Sequence, residues 1–364
     1  MVSASATDPR SGAAETGTRA VAGWLFACCA MIFLMVVIGG LTRLTLSGLS
    51  ITEWEPVSGV VPPLSGADWT AEFAKYQQIP QYKLINAGMT LAQFKTIFWW
   101  EYTHRLWGRL IGFVYLLPFL YFLIRRQIPR RLVAPLAGIF ALGGAQGALG
   151  WYMVESGLAQ RVEVSQYRLT AHLALALAIY AATLWTALGL LKPGPRASRP
   201  HLPERAGETP AVQVWPRRAS EAILCLVAVT IVAGGFTAGL NAGLVYNTFP
   251  LMGGSFVPGE YADLTPFVRN WFENVAAVQF DHRILAMTTA ASVVAFWLFA
   301  RRAAWPRAAR IAAHALLGAV ALQFSLGLST LLLVVPIPLA AAHQAGAVLL
   351  LTAAIVLRHT LRSS

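Results

Sequence analysis

Apolar residues in this chain neither alternate nor keep to one helical face; they run on. Long apolar stretches cover residues 20–41, 98–124, 132–153, 167–191, 219–241, 275–300, 311–333 and 338–358. A helix needs about 20 such residues to cross the hydrocarbon of a bilayer. Lipid offers the backbone no hydrogen bonds, so runs of this length have to be helical. The pattern predicts an all-α polytopic membrane protein with eight transmembrane helices, arranged as two pseudo-symmetric four-helix bundles.

The polar segments between the runs set the orientation. Arg10 and Arg19, Arg125 to Arg131, Lys192 to Arg218, Arg301 to Arg310, and Arg358 with Arg362 lie on one side; they hold most of the 28 Lys and Arg residues. The other side holds far fewer: Arg43, Lys75, Lys83, Lys95, Arg161, Arg168 and Arg269. Basic loops stay in the cytoplasm. Both termini are therefore expected inside, in the inner (plasma) membrane of a bacterium, with the long loops 42–97 and 242–274 outside. The net charge of +12 is read as this topology signal. Nucleic-acid binding would instead need a basic face on a soluble fold. The Pro-rich basic stretch 192–218 reads as a cytoplasmic linker, with His201 solvated in it. It separates a first half, 20–191, from a second, 219–358, and leaves cytoplasmic tails at 1–19 and 359–364.

The halves repeat one another. Gly39-Gly40-Leu41-Thr42 is matched by Gly234-Gly235-Phe236-Thr237, and His104-Arg105-Leu106 by His282-Arg283-Ile284. Gln146 with Leu149-Gly150 is matched by Gln323 with Leu326-Gly327, and His172 by His343. Each half has an even number of spans, so the repeat is parallel, with its axis along the membrane normal. The three cysteines, Cys28, Cys29 and Cys225, lie inside apolar runs and read as packing residues. Residues 1–19 are polar and contain acids, unlike a signal peptide or an organelle presequence.

Ionisable residues inside a membrane are costly and mark functional sites. His104, His172, His282 and His343 all fall about five to seven residues inside the outer ends of their helices. Two histidines facing one another across a four-helix bundle form a natural bis-axial haem site. Zinc takes three or four protein ligands, and neither half offers a convincing third. His314 and His359 have no counterpart in the repeat and read as structural. Glu101 stands one turn before His104, on the same face, where the second half has Gln279. The two sites are thus expected to be alike in ligation and different in chemistry. A carboxylate suits an oxygenation site, which has protons to move; solvation at the interface or pairing with Arg105 is the structural alternative. Arg105, Arg109 and Arg283 are candidate partners for haem propionates, with a buried carbonyl or an acid as the other option for Arg109. Asp281 reads as a polar contact at the boundary. The aromatic loop 42–97 reads as short amphipathic helices over the first site, or as an interfacial belt.

The stretches GGLTRLTLSGLSITEWEPVSGVVPPL, YQQIPQYKLINAGMTLAQFKTIFWWEYTHRLWGR, LVYNTFPLMGG, VQFDHRILA and AAHQAGAVLL resemble the haem A synthase family of proteobacteria and mitochondria. The resemblance runs through both halves. It implies an oxidoreductase that oxidises the C8 methyl of haem O to a formyl group, by way of an alcohol, giving haem A for terminal oxidases. It further implies that Glu101 is catalytic, that His104 and His172 flank substrate haem O, and that His282 and His343 ligate a resident haem b. Some members carry cysteine pairs in outer loops and this chain does not, so a thiol role does not transfer. Implied partners are a haem O synthase, oxidase assembly factors and an electron donor; self-association is left open. A di-haem b electron-transfer subunit is the rival from another class, and leaves Glu101 and the aromatic loop without a reason. A haem carrier is a third reading, compatible with the parallel repeat.

Overall fold

The computed structural model describes residues 9–55, 58–160, 162–191, 210–303 and 305–362. His201 and most of the 192–218 linker lie outside these. Eleven α-helices are described: α1 (Pro9–Leu44), α2 (Gly66–Tyr76), α3 (Pro80–Leu84), α4 (Leu91–Ile124), α5 (Arg130–Gln160), α6 (Gln166–Leu190), α7 (Pro210–Gly239), α8 (Asn270–Glu273), α9 (Val275–Ala300), α10 (Arg307–Leu332) and α11 (Ile337–Leu361). Eight of them, all but α2, α3 and α8, are long and apolar enough to span a membrane. The chain is a multi-pass, all-α membrane protein.

Several helices outrun their apolar stretches. Helix α1 starts at Pro9, inside the segment read as a tail, and α7 starts at Pro210, inside the linker. Helix α11 continues to Leu361. Extending a helix adds one hydrogen bond per residue fixed, so it continues until something stops it. Helix α4 begins at Leu91, seven residues before its apolar run. Thr90 caps it there: its hydroxyl accepts from the Gln93 amide while the Gln93 side chain accepts from the Thr90 amide.

Helix α1 packs on α4 and α6, and α5 on α4 and α6; α7 packs on α9 and α11, and α10 on α9 and α11. The two groups meet through α1, α6, α7 and α11. Polar contacts stitch this seam. Tyr180 and Thr352 hydroxyls lie 2.7 Å apart, and the Gln344 side chain donates to the Val36 carbonyl at 2.7 Å. At the end of the seam beside the long loops Arg43 donates to the Ala238 carbonyl and to Asn241, whose amide in turn donates to Glu163 at 2.9 and 3.1 Å. Two glycines allow the close approach. A Cβ on Gly40 would collide with the Gln344 amide, and one on Gly235 would lie 3.0 Å from the Thr170 hydroxyl.

The first long loop folds against the projecting end of α4. Helix α2 is closed by a capping box between Ser65 and Asp68. Trp69, Tyr76, Phe94 and Phe98 are buried in one aromatic cluster, with the Trp69 and Phe98 rings 4.9 Å apart. These rings pack on one another, so this part of the loop is a folded cap. Gln81 ties the cap down: it accepts from Tyr76 and donates to the carbonyls of Leu46 and Val162.

Candidate functional site

Each half carries its two histidines on helices of one group, each ring against a glycine: His104 of α4 against Gly39 of α1 and His172 of α6 against Gly150 of α5, then His282 of α9 against Gly234 of α7 and His343 of α11 against Gly327 of α10. The Nδ1 atoms of His172 and His343 are buried without a hydrogen-bond partner. Among the described residues, no group of three or more His, Cys, Asp or Glu exists to hold a bare metal ion. A pair of half-buried imidazoles without further protein ligands fits a haem, whose macrocycle supplies the other four donors, and does not fit zinc.

Above each pair, the helix carrying the first histidine straps down a long loop. In the first half Glu101 is buried, 1% exposed. Its Oε2 accepts from the Ser50 hydroxyl at 2.9 Å and from the Ile51 amide at 2.8 Å. Its Oε1 accepts from Nε and Nη2 of Arg105 at 3.0 and 2.6 Å. Arg105 also donates to the carbonyls of Glu53 and Ile51, so every nitrogen of its guanidinium is engaged. In the second half Gln279 donates to the carbonyls of Ala242 and Tyr246. Arg283 donates to Thr248, Tyr246 and the Gln279 side-chain oxygen, and its Nε is buried without a partner. The two straps share a design, an i,i+4 pair holding loop backbone, but differ in charge. The first is a salt bridge; the second sets an arginine against a neutral amide.

Burial rules out the reading of Glu101 as a solvated interfacial acid; the pairing with Arg105 is present. Arg109 holds the Glu55 carbonyl at 2.7 Å. Arg105 and Arg109 border a cavity of about 360 Å³ that opens beside Glu53, Glu55 and Tyr102. Asp281 accepts from the Tyr261 hydroxyl at 2.9 Å. His314 bonds to the carbonyl of Arg310 in its own helix, and the His359 ring stands edge-on to Trp185. Neither of these histidines joins the paired sites.

Outside the membrane, hydrogen bonds shift several acids. Asp68 is held below the usual carboxylate range by the Ser65 and Leu64 donors. Glu260 is likewise lowered by the Tyr246 hydroxyl, and Glu273 by Arg269 and Tyr167.

Two kinds of residue at the sites were not picked out by pattern. Ser50 and the loop carbonyls carry no motif of their own. Asn270 and Asn274, which fasten the second long loop through Leu264, Phe267 and Glu260, look like ordinary loop polars. The glycines of the repeat carried a signal: Gly39, Gly150, Gly234 and Gly327 recur in step with the histidines.

Residues 22–355 match the family of cytochrome oxidase assembly proteins. The chain is 54% identical to the heme A synthase of Nitrosospira multiformis over 344 residues, 94% of either chain. It is 51% identical to that of Rhodospirillum centenum over 361 residues, 99% of this chain and 92% of the relative. Heme A synthase COX15 of Homo sapiens is 44% identical over 354 residues, 96% of this chain and 84% of the relative. The chain belongs to the haem A synthase family. Its membership covers both straps and all four paired histidines, so the asymmetry between Glu101 and Gln279 lies within one haem A synthase chain.

Proposed function

We propose that this membrane enzyme oxidises the C8 methyl of haem O to the formyl group of haem A, by way of an alcohol, in its first half. Substrate haem O sits between His104 and His172. His282 and His343 would hold a resident haem b, which would supply a one-electron redox centre. The four-helix unit 20–191 is thus the substrate side and 219–358 the haem b side.

One observation carries the assignment of sides. Glu101 is the only buried carboxylate among the described residues, and its counterpart Gln279 cannot exchange a proton. Turning a methyl into a formyl group breaks C–H bonds and requires protons to be moved at the site, so the half with the acid is the half that reacts. Glu101 works from within a cage of four donors. Taking up a proton or meeting a substrate group requires one of them to turn away. Ser50 is the donor that can do so by rotating its hydroxyl alone, without moving backbone.

Arg283 has a buried Nε without a partner and is a candidate to meet a propionate; Arg105 is fully engaged. The excess of Lys and Arg on one side supports cytoplasmic termini in a bacterial inner membrane, which puts both histidine pairs near the outer surface. The reaction requires a haem O synthase upstream and an assembly step of the terminal oxidase downstream, the partners we assign to it.

The test is to express the chain with a haem O synthase and to separate the extracted haems by chromatography, beside a Glu101→Ala variant. Haem A from the wild type, and haem O or its alcohol from the variant, is the expected result. Unmodified haem from a well-expressed wild type with bis-histidine spectra would favour a di-haem electron carrier.

A further inference from the structure

Each of the four paired histidines rests its ring against a glycine on the neighbouring helix. A Cβ built on Gly39 of α1 would lie 3.2 Å from Nε2 of His104. A Cβ on Gly150 of α5 would lie 3.0 Å from Cε1 of His172. A Cβ on Gly234 of α7 would lie 2.9 Å from Cε1 of His282, and one on Gly327 of α10 would lie 2.7 Å from Cε1 of His343. Nonbonded carbon atoms settle at about 3.5–4.0 Å. A methyl group at any of the four would therefore push the imidazole away.

The pattern is not a general feature of glycine in these helices. Gly23 of α1, Gly138, Gly143, Gly144 and Gly147 of α5, and Gly318 of α10 have nothing within 4 Å of the same built atom. Glycine is a poor residue for a helix interior. At the four positions its cost is offset by something that alanine could not provide.

We propose that Gly39, Gly150, Gly234 and Gly327 are positioning residues, each a backbone seat that sets where its histidine ring stands and how it is turned toward haem iron. The inference rests on the haem reading above and adds residues to it. The second half shows what a seat does. With no side chain on Gly234, the His282 ring lies close enough to α7 for its Nδ1 to reach the Thr230 carbonyl, one turn back, at 3.2 Å. A carbonyl only accepts, so Nδ1 carries the proton and Nε2 is left to ligate. In the first half, among the described residues, no hydrogen bond holds the His104 ring. The seats in the second half are also the tighter ones. A closely seated pair suits a group that stays, and a less closely seated pair suits a group that must enter and leave.

The test uses full-length protein purified from membranes, carrying Gly→Ala at one seat at a time, with Gly147→Ala and Gly318→Ala as controls. Haem content per chain and the low-spin ferric electron paramagnetic resonance signal are read for each. Gly327→Ala and Gly234→Ala are expected to lower resident haem several-fold or to shift its low-spin g value. Gly39→Ala and Gly150→Ala should leave that signal intact and reduce retention of added haem O. Both controls should match the wild type. Seat variants with wild-type content and spectra would overturn the inference. Should Gly234→Ala not assemble, the double variant with His282→Ala removes the clashing ring and is expected to restore assembly. Failure of the double variant also overturns it. Histidine variants separate the two ideas. If His282→Ala and His343→Ala keep a bis-histidine spectrum, the haem reading itself fails. If they lose it while the glycine variants keep it, only the seats fail.

Discussion

Arg105 places two donors on Oε1 of Glu101, at 3.0 and 2.6 Å, from one turn further along the same helix. The same two positions in the second half are Gln279 and Arg283, with the amide oxygen taking one donor at 3.2 Å. Glu101→Gln keeps the side-chain size and an oxygen for Arg105, but turns its NH2 toward the Ile51 N–H, where Gln279 of the second half meets carbonyls instead. The variant is expected to fold and to hold haem normally while forming haem A about 10²–10⁴-fold more slowly, the usual cost of removing a general acid or base. Single-turnover haem analysis of the purified variant checks this. Wild-type rates would mean that Glu101 acts only as a strap.

The two histidine pairs should separate in what they retain. His282→Ala is expected to yield protein without the resident low-spin haem. His104→Ala is expected to keep that haem and lose conversion of haem O. Pyridine haemochrome content and product chromatography on both variants decide it.

The cap has its own stability. Trp69→Ala removes a ring buried against Phe98, and large aromatic truncations of this kind cost about 3–5 kcal/mol. The loss should be local. Protease cleavage within residues 58–90 should become faster, while the reduced spectrum of the second half stays unchanged.

Acid should loosen the same cap. Asp68 accepts from the Ser65 and Leu64 amides, and these bonds lower its pKa below the ordinary 3.8. A carboxylate lowered in the folded state gives stability that is complete above its unfolded pKa and lost as pH falls through its folded one. Hydrogen exchange at α2 should thus be flat from neutral pH to about 5 and rise below about 4, relative to the intrinsic rate. In Asp68→Asn the rise should be absent.

Much of this was legible in the sequence. Eight spans follow from the run lengths, because lipid leaves a backbone no alternative to a helix. The four histidines follow from cost: a polar ring repeated at one depth in two halves calls for a reason. The helix ends were less legible, since α1, α4 and α7 all continue past the apolar residues that announced them. Of the partners of Glu101, Arg105 was legible, one turn along the same helix, and the loop donors were not. Ser50 and the Ile51 amide lie about fifty residues away in the chain, and a backbone donor leaves no mark in the residue code. The glycine seats sat between these cases. Their recurrence was visible, but only the packing of neighbouring helices shows that each recurs opposite a ring.

Gly39-Gly40 and Gly234-Gly235 each face two ways. The first glycine of each pair meets the histidine of its own half, and the second admits a residue of the other half's ligand helix: Gln344, next to His343, or Thr170, two before His172. Each half thus carries the notch into which the other half's ligand helix is fitted. Cut at the 192–218 linker, the two fragments should behave as lock and key for one another: poorly loaded alone, competent when made in the same membrane.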